Sequence, residues 1–301
     1  MPRSRLLEAL EQELPGASLQ EAEGRCALLP RSGREVARAL SLAASAGVKI
    51  VGPGADGDAD GHAAVCMDLR RMADVLSIDD TSHIVHAEAG IDLAHLEEEL
   101  GRRGLTLGIE GPVPEIPLGT WLARGAPGAR DRADDPVDSL VAGVEMILPD
   151  GRELELRPAP RRAVGPDLIG TVVGARGCLG VVIGAHVVAR RRMPPERLAF
   201  RFGERRPAEA TLAWIRGRGV RPAAAHLLEH GGSTFLCITL RMAPERARIA
   251  ATVARAEAGE RGGEEVDPAD APEASPPTAR VPAEIVLELA ERLDPAGVLR
   301  P

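Results

Sequence analysis

Three short stretches of the chain combine residue types and spacing that could do chemistry. Asp56-Gly57-Asp58-Ala59-Asp60-Gly61 alternates carboxylates and ends on glycine, like the opening of a calcium loop whose oxygens converge on one hard cation. The twelfth position of such a loop needs a bidentate glutamate. Here it is Met67, so the stretch reads as a solvated acidic turn. His226-Leu227-Leu228-Glu229-His230 has the spacing that sets two imidazoles one helical turn apart in inverted zinc peptidases. Such a site needs a helix and a third ligand, and Gly231-Gly232 ends the segment at once, so it reads as a strand. Gly174-Ala175-Arg176-Gly177-Cys178-Leu179-Gly180 spaces its glycines as a backbone does where it must turn sharply or approach a ligand closely. The remaining candidates are scattered. His62, His83, His86, His95 and His186 read as structural residues, and no metal site is expected. Cys26, Cys66, Cys178 and Cys237 form no Cys-x-x-Cys pair and read as reduced thiols rather than a disulfide framework.

The elements that must position these residues alternate along the chain. Leu6, Leu7, Leu10 and Leu14 lie on one face of a short helix broken by Pro15-Gly16. Ser32-Gly33-Arg34-Glu35 has capping-box form and starts a helix that ends at Gly47. Val48–Val51, Ala63–Leu69 and His83–Ala89 read as strands, and Asp92 caps a helix stopping at Gly101. Leu140–Leu148 and Glu153–Leu156 flank Pro149-Asp150-Gly151 as a hairpin, and Leu179–Val188 is a further strand. Helices are expected around Ala208–Arg216, from Pro244, and over Pro282–Leu293, with a strand at Thr234–Leu240. Residues 257–280 are acidic, rich in Pro and Gly, and without apolar period, so they read as a flexible linker.

Composition narrows the function classes. The 301 residues carry 45 acidic against 37 basic side chains, a net charge of −8. A sequence-independent nucleic-acid binder clusters Lys and Arg to neutralise phosphates, and this chain does the reverse overall. With 3 Phe, 2 Trp and no Tyr, a stacking platform for single strands is also poorly supported. No apolar run is long enough for a membrane span, and the charged N-terminal pattern is not that of a signal peptide. A cytoplasmic protein is the resulting expectation.

The ordered set of parts resembles the FAD-linked oxidases of the vanillyl-alcohol oxidase/p-cresol methylhydroxylase type. The matching pieces are ALLPRSGREVARALSLAASAGVKIVGPG, MDLRRMADVLSID, VHAEAGIDLAHLEEELGRRGLTLG, LGTWLARGAPGAR, DSLVAGVEMILPDG, GPDLIGTVVGARGCLGVVIGAHV and the terminal LDPAGVL. The stretch from Arg161 to Pro194 is most similar to the alkyldihydroxyacetonephosphate synthase branch. The resemblance implies an α+β protein with the PCMH-type FAD-binding fold, two α+β subdomains clasping an extended FAD. It further implies a substrate-binding cap and a C-terminal return to the FAD domain. The implied layout is an N-terminal helix over 1–24, the FAD domain over 25–193, a truncated cap over 194–256, the linker over 257–280, and the return over 281–301.

In the family a glycine-rich loop wraps the pyrophosphate with backbone N–H groups. Gly54 and Gly61 fall on its glycines, while Asp56, Asp58 and Asp60 bring carboxylates there. One like-charge contact at 4 Å costs on the order of 4 kcal/mol at an effective dielectric of about 20. The second cofactor stretch keeps Gly119, Trp121, Ala123 and Gly128. The third keeps Gly174, Gly177, Leu179, Gly180 and Val181, with Cys178 in place of a polar residue. The synthase-type tyrosine is impossible in a chain without any, and the family arginine falls on His226, so no catalytic residue is assigned. Two functions follow. One is an FAD-binding oxidoreductase, a subunit acting on a hydroxy acid or related alcohol with a protein partner completing its pocket. The other is a flavin-poor pseudoenzyme serving as a binding or assembly subunit.

Overall fold

Why the chain turns where it does is visible at its caps. In this computed structural model, which describes residues 2–22, 25–55, 65–109, 112–128, 140–159, 168–272 and 284–299, helix α1 (Pro2–Glu13) packs Leu6 and Leu10 into the core. Strands β1 (Ser18–Ala22) and β2 (Arg25–Leu29) follow. Helix α2 (Gly33–Ala46) starts at Ser32, whose hydroxyl accepts from the Glu35 N–H. The Glu35 carboxylate reaches back to the Arg31 N–H, one residue earlier than a capping box requires. Gly47 ends the helix at φ 63°, where a left-handed residue satisfies the last carbonyls. Strands β3 (Ile50–Val51) and β4 (Val65–Met67) complete a sheet of order β1-β2-β4-β3, in which β4 runs parallel to both its neighbours.

The second sheet begins with β5 (Val75–Asp79) and β6 (Ile84–Glu88). Helix α3 (Leu93–Arg102) is capped by Asp92, which accepts from the Ala94 and His95 N–H groups. It runs one residue past the expected stop, to a turn at Gly104. Next come β7 (Leu105–Thr106), α4 (Leu118–Ala123), β8 (Val141–Ile147), β9 (Glu153–Leu156), α5 (Leu168–Val172), β10 (Val181–Val188) and β11 (Arg190–Arg191). The antiparallel sheet has the order β5-β6-β10-β8-β9, so β10 comes late in the chain yet sits at its centre. The β8–β9 hairpin turns at Gly151, with φ 85°. One continuous core spans both sheets, with Leu28, Leu40, Val85, Leu96, Trp121 and Val144 sealed inside.

Residues 191–276 form a separate unit with its own core. Strand β12 (Glu196–Phe202), helix α6 (Arg205–Gly217), β13 (Ala224–His230), β14 (Ser233–Leu240), α7 (Pro244–Glu260) and β15 (Glu264–Val266) make a βαββαβ unit. Its antiparallel sheet, β13-β14-β12-β15, has the ferredoxin-like order. The linker expected from residue 257 is therefore structured over its first part. Helix α7 starts at Pro244 as expected but runs on to Glu260, its apolar face made of small residues, Ala247, Ala250, Ala251, Ala254 and Ala258. Two ion pairs, Arg201 with Glu264 and Arg255 with Glu265, pin the acidic edge strand β15. Buried Glu257 pairs with Arg261.

Helix α8 (Glu284–Leu293) belongs to the first unit, which also takes in the N-terminal residues read as a helix apart. Its continuation is bound to β3: the Ile50 N–H donates to the Val298 carbonyl at 2.8 Å.

Candidate functional site

The three glycine-bearing stretches singled out in the sequence meet at one place. Strand β3 delivers Gly52-Pro53-Gly54, and a Cβ on Gly54 would overlap that of Ala123 at the end of α4. Helix α4 is seated by main-chain bonds, with Leu118 N–H to Ile91 O at 2.8 Å and Gly119 N–H to Ala89 O at 2.7 Å. A Cβ on Gly119 would come within 2.9 Å of Ala89, so only glycine allows this approach. The third stretch docks on the same helix. Gly174 N–H donates to Leu122 O at 3.0 Å and Arg176 N–H to Ala123 O at 2.8 Å. Gly177, at φ 77°, faces the Pro53 carbonyl.

Two spaces lie against α4. The seam between Pro53, Gly119, Ala123, Gly177 and Gly180 has a volume of about 10 Å³. That is room for about one water. The second, an open cleft of about 460 Å³, lies among Ala27, Pro53, Cys66, Arg70, Gly90 and Thr120. Gly90 lies in its wall, where a Cβ would overlap the Leu69 carbonyl oxygen, so only glycine lets the two segments cross so closely. The charges around it are committed. Asp68 pairs with Arg70 at 2.6 Å, which holds the guanidinium above its ordinary value, and Asp92 caps α3.

The other expected cofactor residues have varied positions. Trp121 is fully buried and donates its indole N–H to the Pro127 carbonyl at 2.8 Å, fixing the turn that ends at Gly128. Leu179 and Val181 are buried, Leu179 against the seam and Val181 opening β10. Gly174, at φ 93°, and Gly180, at φ 154°, supply backbone that side-chain-bearing residues resist. Gly61, and the carboxylates of Asp56, Asp58 and Asp60, lie outside the described residues.

Cys178 is buried and donates its thiol to the Ala175 carbonyl at 2.8 Å. Burial pushes its pKa up, which makes it an inert core thiol. His226 and His230 lie on strand β13, where four residues span roughly 13 Å, too far to share an ion. Glu229 between them pairs with Arg205.

One cluster escaped the sequence reading. His86, Glu145 and His186 come from three different strands and converge on one sheet face, with His86 Nε2 2.9 Å from Glu145 Oε1. Nothing in their sequence spacing signals this, because strand pairing alone makes them neighbours.

Residues 25–157 match the family described as FAD binding domain. An uncharacterized FAD-linked oxidoreductase of Escherichia coli K12, YgcU, is 27% identical over 198 residues, covering 62% of this chain and 41% of that one. The alkyldihydroxyacetonephosphate synthase of Caenorhabditis elegans is 31% identical over 122 residues, 40% of this chain and 20% of the synthase. A solved structure of an alkyldihydroxyacetonephosphate synthase superposes with a TM-score of 0.65 at 20% identity, over 82% of this chain and 52% of that one. This chain thus spans about two fifths of the YgcU length. Among the described residues no helix is long and apolar enough to cross a membrane. Residues 25–157 thus match an FAD binding domain, and the chain is similar over part of its length to FAD-linked oxidoreductases.

Proposed function

We propose that this chain is the FAD-holding subunit of an oxidoreductase acting on a hydroxy acid or related alcohol, with a partner polypeptide completing the substrate pocket. The observation that carries this reading is the convergence of residues 52–54, 119–123 and 174–180 on α4, beside an open cleft of about 460 Å³. Cofactor sites commonly measure ~300–1,000 Å³, so the cleft fits a large part of a dinucleotide. The seam on the glycine side is filled by the chain itself. Pro53, Cys66, Arg70, Gly90 and Thr120 would hold the cofactor, with Arg70 the one positive charge among the described residues of the lining. FAD, when bound, supplies a hydride acceptor. The residues of this chain would orient it and keep water from one face. Relatives named D-2-hydroxyglutarate dehydrogenase and D-lactate dehydrogenase support the hydroxy-acid substrate class, each over a third or so of its own length. A partner is invoked because residues 191–276, the reduced counterpart of a cap, bring no tyrosine and no free histidine pair to a reaction.

The test uses the cleft thiol. Protein incubated with FAD and desalted should retain the visible bands of oxidised flavin, and FAD should slow alkylation of Cys66 several-fold. Thr120→Trp, which fills the cleft, should abolish both effects with the unfolding midpoint little changed. A protein that stays colourless, or a Cys66 that alkylates equally fast with and without FAD, would overturn the reading.

A further inference from the structure

The face of the second sheet that turns away from the core carries a set of donors with no part in the cofactor cleft. His86 on β6 and His186 on β10 are direct partners across the antiparallel pair, so both side chains leave the same face. Glu145 on β8 is registered with Gly184, two residues along β10 from His186, and joins that face as well. The imidazole rings stack with centroids 4.0 Å apart and planes 13° apart. One donor atom from each of the three side chains lies within 4.8 Å of the others.

One of these donors is an orphan. His186 Nδ1 is buried and has no hydrogen-bond partner, while His86 Nε2 stands 2.9 Å from Glu145 Oε1 as an ion pair. Buried polar atoms in folded proteins are paired in the great majority of cases, and an ion is one of the things that pairs them. Two glycines keep the space around the donors clear. A Cβ on Gly184 would lie 2.6 Å from Glu145 Oε2, and one on Gly143 would lie 3.1 Å from His186 Nδ1. Glycine weakens a strand interior, so its presence beside both donors marks a close approach. At Gly143 the main chain of Leu156 and Pro158 also passes within 3 Å of the Cβ position, which makes glycine obligatory there.

We propose that His86, Glu145 and His186 form a binding site for one divalent transition-metal ion of the zinc class. Two imidazole nitrogens and one carboxylate oxygen are a ligand set of zinc sites that keep an open position for water. Calcium and magnesium prefer oxygen throughout and are excluded by the two nitrogens. Nearly parallel rings cannot aim their lone pairs at one point. Binding therefore turns His186 about its Cβ–Cγ bond and opens the stack.

The experiment titrates the chelator-treated full chain with Zn²⁺ by calorimetry and with Co²⁺ by visible absorption. One ion per chain is expected, with cobalt bands of four- or five-coordination and no thiolate charge transfer. Glu145→Gln and His186→Gln should each weaken binding by roughly tenfold or more. In the wild-type chain, Zn²⁺ should shift the imidazole nitrogen resonances of His86 and His186 together, a readout that needs no variant to fold. No stoichiometric binding, binding unaltered in both variants, a thiolate band, or unmoved resonances of these two histidines would each overturn the proposal.

Discussion

Asp294 and Leu299 are joined by a buried hydrogen bond of 2.8 Å, from the Leu299 N–H to a carboxylate oxygen that is almost wholly shielded from water. The other oxygen accepts from the Val298 N–H at 2.9 Å. This one side chain shapes the Leu-Asp-Pro-Ala-Gly-Val-Leu turn. The turn in turn presents the Val298 carbonyl to Ile50 at the root of the Pro53-Gly54 loop.

The C-terminal turn should therefore matter to the cofactor domain far out of proportion to its size. Asp294→Ala leaves two N–H groups without their charged acceptor and should cost about 3 kcal/mol. Asp294→Asn keeps one acceptor and should cost about half as much. Chemical denaturation of the two variants checks the ranking. A neutral Asp294→Ala would show that the tail does not hold β3.

Thiol chemistry should separate the cysteines by position. Burial raises the pKa of Cys178 and of Cys237, so at any pH below those raised values each gives less thiolate than an ordinary cysteine. Cys66 lines the open cleft. Iodoacetamide at mildly alkaline pH, read by peptide mass spectrometry, should modify Cys66 well before Cys178. As the pH rises, labelling of Cys178 should stay behind. Equal rates in the folded protein would contradict the packing described for the 174–180 stretch.

Two glycines should respond to alanine in opposite degree. A Cβ on Gly90 overlaps main-chain atoms of Leu69, which cannot step aside, so Gly90→Ala should cost at least about 3 kcal/mol. Gly47 has a positive φ but open space around it, so Gly47→Ala should cost only about 1 kcal/mol of backbone strain. Thermal melts of the pair give the comparison directly. Similar losses would mean that the Gly90 crossing relaxes more readily than its geometry implies.

Much of the cofactor domain was legible in the residues. Ser32, Asp92 and Gly47 announce helix ends because a side-chain oxygen or a left-handed glycine satisfies groups that the helix itself leaves free. Pro149-Asp150-Gly151 announces its hairpin for similar local reasons. The start of α7 at Pro244 was legible, but its end and β15 were not, because an edge strand of glutamates reads as linker until Arg201 and Arg255 meet it.

The amino-acid sequence by itself determined the local events and the spacing of the three glycine stretches, since both depend on residues near one another in the chain. Only the tertiary structure decided that those stretches meet on α4, that the open volume lies on the Cys66 side, and that the Gly177 side is closed. It likewise decided that His86, Glu145 and His186 are neighbours. The reason is register. Each strand specifies which of its residues share a face, but which strand pairs with which, and at what offset, is settled by the core that all of them bury together.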